Sequence, residues 1–461
     1  AIPSALMGYA ARVEYGYADR YLAELSIGYN GSENFAPGHR FGIFPSGSLG
    51  YVISEEPFMK KVKKSLPYLK LRGSIGLVGN DKGQARFLYL GQYDKIGNSG
   101  GGGIPSFGFG TTSPSSAGGI RETRAGNENL TWETALKSNV GIEGRLFKDN
   151  LLSFSVDFFK EHRKDILMQL NSVPTIIGVA APYANVGETK NWGYEIDLTH
   201  RNKIGNVGYY VKGNYSFARN KVIYKDDPIN KPDYQKEAGY RIGQFRGYEV
   251  LGFFQNEEEI KNSPDQSTLG GPIIPGDLKY RDVNNDKVIT EEDKVPIGYA
   301  RIPEIMYAVT PGITWKGLEI SAMFQGAANA SIFFTGNAGF EFGGGAGGGQ
   351  VSKTHQNYWT PENQNASYPS LHKNAKHSNK NINSFHLKSG SYLRLKNISV
   401  SYNFPSKICK KIHMEALKIY LNASNLCTWS KIDNFDPEVV NESGDVYPQQ
   451  SVYNLGVNIN F

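Results

Sequence analysis

The stretch Ser451-Val452-Tyr453-Asn454-Leu455-Gly456-Val457-Asn458-Ile459-Asn460-Phe461 decides the fold. From Tyr453 onward every second residue is large and apolar: Tyr453, Leu455, Val457, Ile459 and Phe461, with Asn454, Gly456, Asn458 and Asn460 between them. A strand points successive side chains to opposite faces, so this ribbon has one oily face and one wet face. Its oily row stops on an aromatic residue. The pattern predicts the closing strand of an outer-membrane β-barrel, with lipid outside, water inside and an aromatic at the membrane edge.

The same alternation recurs upstream. Tyr9, Val13, Tyr15 and Tyr17 oppose Arg12, Glu14 and Gly16, and Tyr21, Leu25, Ile27 and Tyr29 follow after a turn at Asp19-Arg20. Phe154, Val156 and Phe158, then Trp192, Tyr194, Ile196 and Leu198, then Tyr209, Val211, Tyr215 and Phe217, then Ile320, Ala322 and Phe324 repeat it. In residues 391–404 the parity changes near Lys396, which predicts a β-bulge. Connections alternate between short (19–20, 55–67, 148–150, 203–206, 316, 405–414) and long (32–40, 80–131, 166–189, 220–303, 331–390, 426–450). Short periplasmic turns and long external loops are the asymmetry of such barrels. Counting back from Phe461 yields about thirteen spanning strands, an odd number that predicts further strands upstream. Ala1-Ile2-Pro3 lacks the features of a secretory signal, so the chain is expected to be processed or partial. A soluble β-sandwich also alternates, but its strands average about five or six residues, and the runs here are often longer.

Composition agrees. The 461 residues include 53 Gly, 28 Tyr and 24 Phe, with 20% charged residues and no apolar run long enough for a transmembrane helix. The net charge of +6 is dispersed. It suits anionic lipid of the outer membrane, and no basic cluster with interleaved aromatics argues for nucleic acid. Cys409 and Cys427 carry no metal spacing, and a strand over 415–425 would hold them too far apart to bridge.

One motif has the spacing of chemistry. Asp282-Val283-Asn284-Asn285-Asp286-Lys287-Val288-Ile289-Thr290-Glu291-Glu292-Asp293 sets oxygen side chains at loop positions one, three, five, nine and twelve. A chain wrapping a hard cation such as Ca2+ needs that spacing. Asp282, Asn284 and Asp286 would ligate through side chains, Val288 through its carbonyl, Thr290 directly or through water, and Asp293 as closing carboxylate. Position six is Lys287 where a sharp turn favours glycine, and the competing reading is an acidic turn that caps a short helix at 290–293. A bound ion there is expected to be structural.

No enzyme is expected. Gly97-Asn98-Ser99-Gly100-Gly101 has the letters of a nucleophile elbow without the helix that must follow it. His355, His372, His377 and His386 share one long loop and are taken as solvated residues clustered by chance. The glycine-dense segments 100–103 and 343–349 are expected to be flexible loop. Trp192 and Trp315 are expected to anchor strands at the membrane interface rather than to stack on sugars.

Several segments resemble SusC-like TonB-dependent outer-membrane transporters. These are Arg40-Phe41-Gly42-Ile43-Phe44-Pro45-Ser46, Ile53-Ser54-Glu55-Glu56-Pro57-Phe58-Met59, Asn191-Trp192-Gly193-Tyr194-Glu195, Gly276-Asp277-Leu278-Lys279-Tyr280-Arg281-Asp282, and Tyr392-Leu393-Arg394-Leu395-Lys396-Asn397-Ile398-Ser399-Val400-Ser401-Tyr402-Asn403-Phe404-Pro405. The resemblance covers residues 1–461 as the C-terminal part of an all-β, 22-stranded transmembrane barrel, without its plug and first strands. It implies multi-pass residence in the outer membrane of a Bacteroidota species and uptake of oligosaccharides or oligopeptides. It also implies a SusD-like surface lipoprotein as lid and drive through a TonB complex. By their length, the loops 80–131, 220–303, which carries the acidic motif, and 331–390 are the expected surfaces for lid and substrate. The family has glycine where this chain has Lys287. The alternative is a calcium-stiffened surface adhesin or structural barrel without transport.

Overall fold

The computed structural model describes residues 5–461 apart from 84, 97–107, 110–114, 117–118, 344–348, 375, 440 and 445. Thirteen long strands form one antiparallel sheet in strict chain order. They are β1 (Leu6–Tyr17), β2 (Tyr21–Ser32), β3 (Phe41–Val52), β4 (Tyr68–Asn80), β5 (Glu133–Leu146), β6 (Leu152–Gln169), β7 (Tyr183–Ile204), β8 (Val207–Tyr224), β9 (Ile305–Trp315), β10 (Leu318–Ala328), β11 (Tyr392–Asn403), β12 (Ala416–Ser430) and β13 (Val452–Asn460). The sheet is not closed on itself: β1 and β13 are its edges. No described helix is long and apolar enough to cross a membrane, and the crossing is made by strands.

Pairing register carries the alternation from strand to strand. Leu49 lies opposite Gly73, Gly73 opposite Val140, Val140 opposite Phe158, Phe158 opposite Tyr194, and Tyr194 opposite Phe217. Because side chains opposite one another share a face, this chain of partners is one oily belt across the sheet. It is uncovered: Leu25, Leu49 and Leu455 are 69%, 70% and 77% exposed. No second sheet packs over these rows, and surface of this size and polarity is matched by hydrocarbon. Aromatic rings reinforce the belt. Tyr194 packs against Phe158, Tyr215 and Phe217 at 5.5–6.2 Å, and Tyr17, Tyr21 and Tyr51 stack beside the first short turn.

The opposite face is polar and cross-linked. Arg72 on β4 reaches over β5 to Asp157 on β6, 2.6 Å away. Gly141 stands opposite both, and a Cβ there would meet Asp157 Oδ1 at 2.5 Å, so the missing side chain lets the ion pair span two strand spacings. Arg12 pairs with Glu24 at 2.8 Å on the same wet face.

The connections alternate between the two ends of the sheet: 18–20, 53–67, 147–151, 205–206, 316–317 and 404–415 at one, and 33–40, 81–132, 170–182, 225–304, 329–391 and 431–451 at the other, where four of the six run longer than any at the first. The pairings of β11 skip Lys396 on both sides, which confirms the bulge. Cys409 is buried, Cys427 is exposed, and both are free thiols. One expectation needs correction. Strands β6, β7 and β8 continue to Gln169, start at Tyr183 and continue to Tyr224, so the connections between strands are shorter there (170–182 and 225–304) than alternation suggests. At ~3.3 Å per residue the 22 residues of β7 extend roughly 70 Å, whereas a span needs about 9–11 residues. The ladder therefore rises beyond the bilayer. The oily row ends where lipid ends, but backbone pairing does not. On β7 Trp192, half-exposed, sits above Leu198 and Ile196, where an interfacial anchor belongs.

This orientation predicts that Ile196→Arg in the intact protein costs about 2–4 kcal/mol, the penalty for a cation on the lipid face. Glu195→Gln on the wet face should stay within about 0.5 kcal/mol. Denaturant unfolding in detergent checks the contrast, and equal effects would place lipid on the wrong face.

Candidate functional site

The long external connections fold into a layer with its own cores. Short strands Val250–Phe253 and Leu278–Tyr280 pair, and Tyr248 forms a bridge with Asn383 of the next long connection. Tyr248, Leu278, Tyr280 and Ile289 are buried together, with Phe253, Leu269 and Phe385 against them. A second core joins Ile332 and Phe334 to Ile432 and Val439 of the last connection. Arg394, 1% exposed at the head of β11, holds that connection with bonds of 2.6–2.7 Å to Asp436 and Glu438 and bonds Thr428 of β12 at 2.9 Å. Charge-assisted, forked contacts of this kind fix geometry as well as charge.

The four histidines are not solvated, a correction to the sequence reading. His355, His377 and His386 are buried, and His372 is mostly covered. His355 packs on Tyr368 and His386 on Phe340, Tyr368 and Phe385. Their faces are buried against rings contributed from across the layer, and nothing in local spacing announces that. His372 Nε2 lies 2.6 Å from Asp277 Oδ1, and His377 Nε2 lies 3.6 Å from Asp277 Oδ2. Trp359 of the same connection is buried as well. The Ser99 motif and residues 344–348 of the second glycine segment lie outside the described residues.

The acidic motif forms the tight turn its spacing predicts. Asp282 accepts the backbone N–H groups of Asn285 and Lys287 at 2.7 and 2.9 Å, and Asp286 accepts that of Val288 at 2.8 Å. Asn285 and Lys287 both have φ near +65°: 61° and 69°. Lysine thus adopts the left-handed conformation that glycine takes without strain. Asn284 turns its amide Nδ2 toward Asp286 (2.9 Å) and Glu292 (3.3 Å), a donor among carboxylates where a cation would be welcome. Asp282, Asn284 and Asp286 are therefore brought together. Thr290 and Asp293 form a capping box on the 3-10 turn Glu291–Asp293, and the buried Asp293 carboxylate accepts from Val283 and Thr290 at 2.7 and 2.8 Å. Glu292, missed in the sequence because it stands one place early, reaches the turn instead. Val288 contributes its N–H to Asp286, and its strand bridge to Asp265 ties the turn to the layer.

The receptor-barrel description TonB dependent receptor-like, beta-barrel matches residues 7–426. The chain belongs to that family. It is a SusC-like outer-membrane β-barrel. TonB-dependent receptor P3 of Formosa agariphila is 26% identical over 488 aligned positions, covering 99% of this chain and 45% of that protein. TonB-dependent receptor SusC of Bacteroides thetaiotaomicron is 25% identical over 491 positions, covering 99% and 44%. Among solved structures, the RagAB peptide transporter superposes with a TM-score of 0.77 at 23% identity, covering 99% of this chain and 48% of that one. The chain thus spans about half the length of these relatives. For this receptor barrel, the likeness to RagAB establishes the fold of wall and loops.

Burial makes the loop layer sensitive to acid. It pushes the His386 ring down to about 3 and lowers His355 as well. An unfolded histidine gains a proton below about pH 6.5, whereas these folded rings resist it, so folded-state stability is full above that pH and falls as pH drops below it. Hydrogen-exchange protection factors across 353–388, taken relative to the intrinsic exchange rate at each pH, should fall between about pH 7.5 and about pH 5. His386→Phe, which keeps the ring packing, should flatten that response.

Proposed function

We propose that this barrel wall and loop layer belong to a TonB-dependent importer of oligomeric nutrients, oligosaccharides or oligopeptides. A SusD-like surface lipoprotein would cover the external layer. A TonB complex would act through parts of the receptor beyond this chain. The observation that carries the reading is the folded loop layer above a lipid-facing sheet with a polar, ion-paired inner face. A wall of that kind binds and passes cargo without covalent chemistry, and loops held on a rigid scaffold are the usual place for recognition. The likeness to the RagAB peptide transporter supports a peptide cargo. An adhesin needs no such inner face, and the transport reading is preferred. Copurification of the intact receptor from membranes, with mass spectrometry of what accompanies it, tests the proposal. Recovery of a lipoprotein with an oligosaccharide or peptide is expected, and a receptor recovered alone with no cargo argues against it.

The turn at 282–293 is proposed as a structural Ca2+ loop held by Asp282, Asn284, Asp286, Val288 and Thr290. In this reading Asp293 shapes the turn and Glu292 supplies a further carboxylate. The clustered oxygens and left-handed backbone support this, and the six or more oxygen ligands calcium takes would include water. Chelator should loosen protease protection across 276–295, with Ca2+ restoring it. Lys287→Gly should raise Ca2+ affinity by relieving about 1 kcal/mol of backbone strain. Digestion indifferent to both chelator and Ca2+ would refute the ion.

A further inference from the structure

Residues 95 or more positions apart on two successive external connections meet at a cluster the transport reading does not use. Among the described residues, one set of three potential metal ligands gathers its donor atoms within 4.8 Å: Asp277, His372 and His377. The two imidazoles lie face to face, centroids 3.4 Å apart and planes 9° apart, each with Nε2 toward a different oxygen of the same carboxylate. We propose that Asp277, His372 and His377 form a transition-metal site of the Zn2+ class that clamps the two long external connections together.

Burial and charge argue for it. The Asp277 side chain is fully buried, as is that of His377 (1% exposed), and His372 is 13% exposed. A carboxylate taken out of water needs a compensating charge, and the imidazoles of His372 and His377 stand beside Asp277 as its ionic partners. One proton on one ring compensates it singly, whereas a divalent ion bonds all three donors. Two imidazole nitrogens and one carboxylate are the donors that zinc and its neighbours take, with a fourth position left over. Calcium, which asks for six or more oxygens, is the wrong ion here.

The surroundings hold the donors as second partners of ligands do. Asp277 Oδ1 accepts from the Asn379 amide at 3.0 Å, and Oδ2 accepts from the Ile274 N–H at 2.8 Å. The His372 backbone is pinned at both ends, its N–H to Glu341 at 3.0 Å and its carbonyl to Lys380 at 2.7 Å. Gly271, at φ +74°, makes the seat for His377: a Cβ there would meet the ring at 2.6 Å. The Pro272 carbonyl, 3.3 Å from His377 Nε2, supplies a fourth donor beside the site, or a water does.

Loading requires two small changes. Stacked rings direct their lone pairs in parallel, so they must splay to converge on one ion. His377 Nδ1 accepts a 3.3 Å bond from the Asn379 N–H, and on loading it must carry the ring proton and give that bond up. One long hydrogen bond is a small loss beside three coordinate bonds.

The test uses the intact, tag-free receptor in detergent, stripped with chelator and titrated with Zn2+. Retention of a single Zn2+ per chain is expected, with loss of that site in the H372Q/H377Q double variant and its survival in D286N, which alters only the acidic turn. X-ray absorption at the zinc edge of unmutated protein gives a readout that needs no variant. Two imidazoles in the shell support the site. An all-oxygen shell, no retained Zn2+, or undiminished retention by the double variant would overturn it.

Discussion

The backbone of a chain in hydrocarbon has no water to bond with, so every N–H and C=O that crosses must find its partner in the sheet. That constraint sets the long antiparallel ladders, their strict neighbour order and the placement of irregular segments at their ends. Side chains then sort by face. In the belt from Leu49 to Phe217, Leu49, Val140 and Phe158 are exposed because their partner is lipid, and Tyr194 and Phe217 are half-buried against neighbouring rings. The wet face spends its polar groups on one another, as Arg72 and Asp157 do across the gap left by Gly141.

The external layer obeys a different rule. There water is available, and burial must be offset by tight packing and by partnered polar groups. Tyr280 is buried with its hydroxyl donating to the Ser378 carbonyl at 2.7 Å, and Gln266 spans backbone groups of Leu278 and Tyr280. Burial raises the Tyr248 and Tyr280 hydroxyls well above the ordinary tyrosine range, so both stay neutral donors. Glu304 gathers Arg219 and Arg241 where β9 begins, anchoring the 225–304 connection at its root.

The barrel wall was legible in sequence because a period of two is local: Tyr453 to Phe461 display it within nine residues, and the Lys396 bulge shows as a break in that count. The turn at 282–287 was legible for the same reason, since Asp282 and Asp286 bond backbone only a few residues away. The loop layer was not. Asp277 and His372 meet across 95 residues, and Arg394 and Asp436 across 42, with no periodic signal linking them. Nor could alternation show how far β6 to β8 climb, because residues above the bilayer have no lipid to record. At the end of the acidic motif Asp293 turns inward as a cap and Glu292 outward toward Asn284, a choice that the spacing alone does not make.

The climb of β7 places two solvents along one ribbon. Its lower portion answers to hydrocarbon and must keep an apolar residue at every other place. Its upper portion, from about Tyr183 to Thr189, keeps only the register of its neighbours. Mutations can accumulate in that upper stretch without affecting insertion into the bilayer, provided the ladder survives. The rim is thereby free to diversify while the span beneath it stays chemically monotonous.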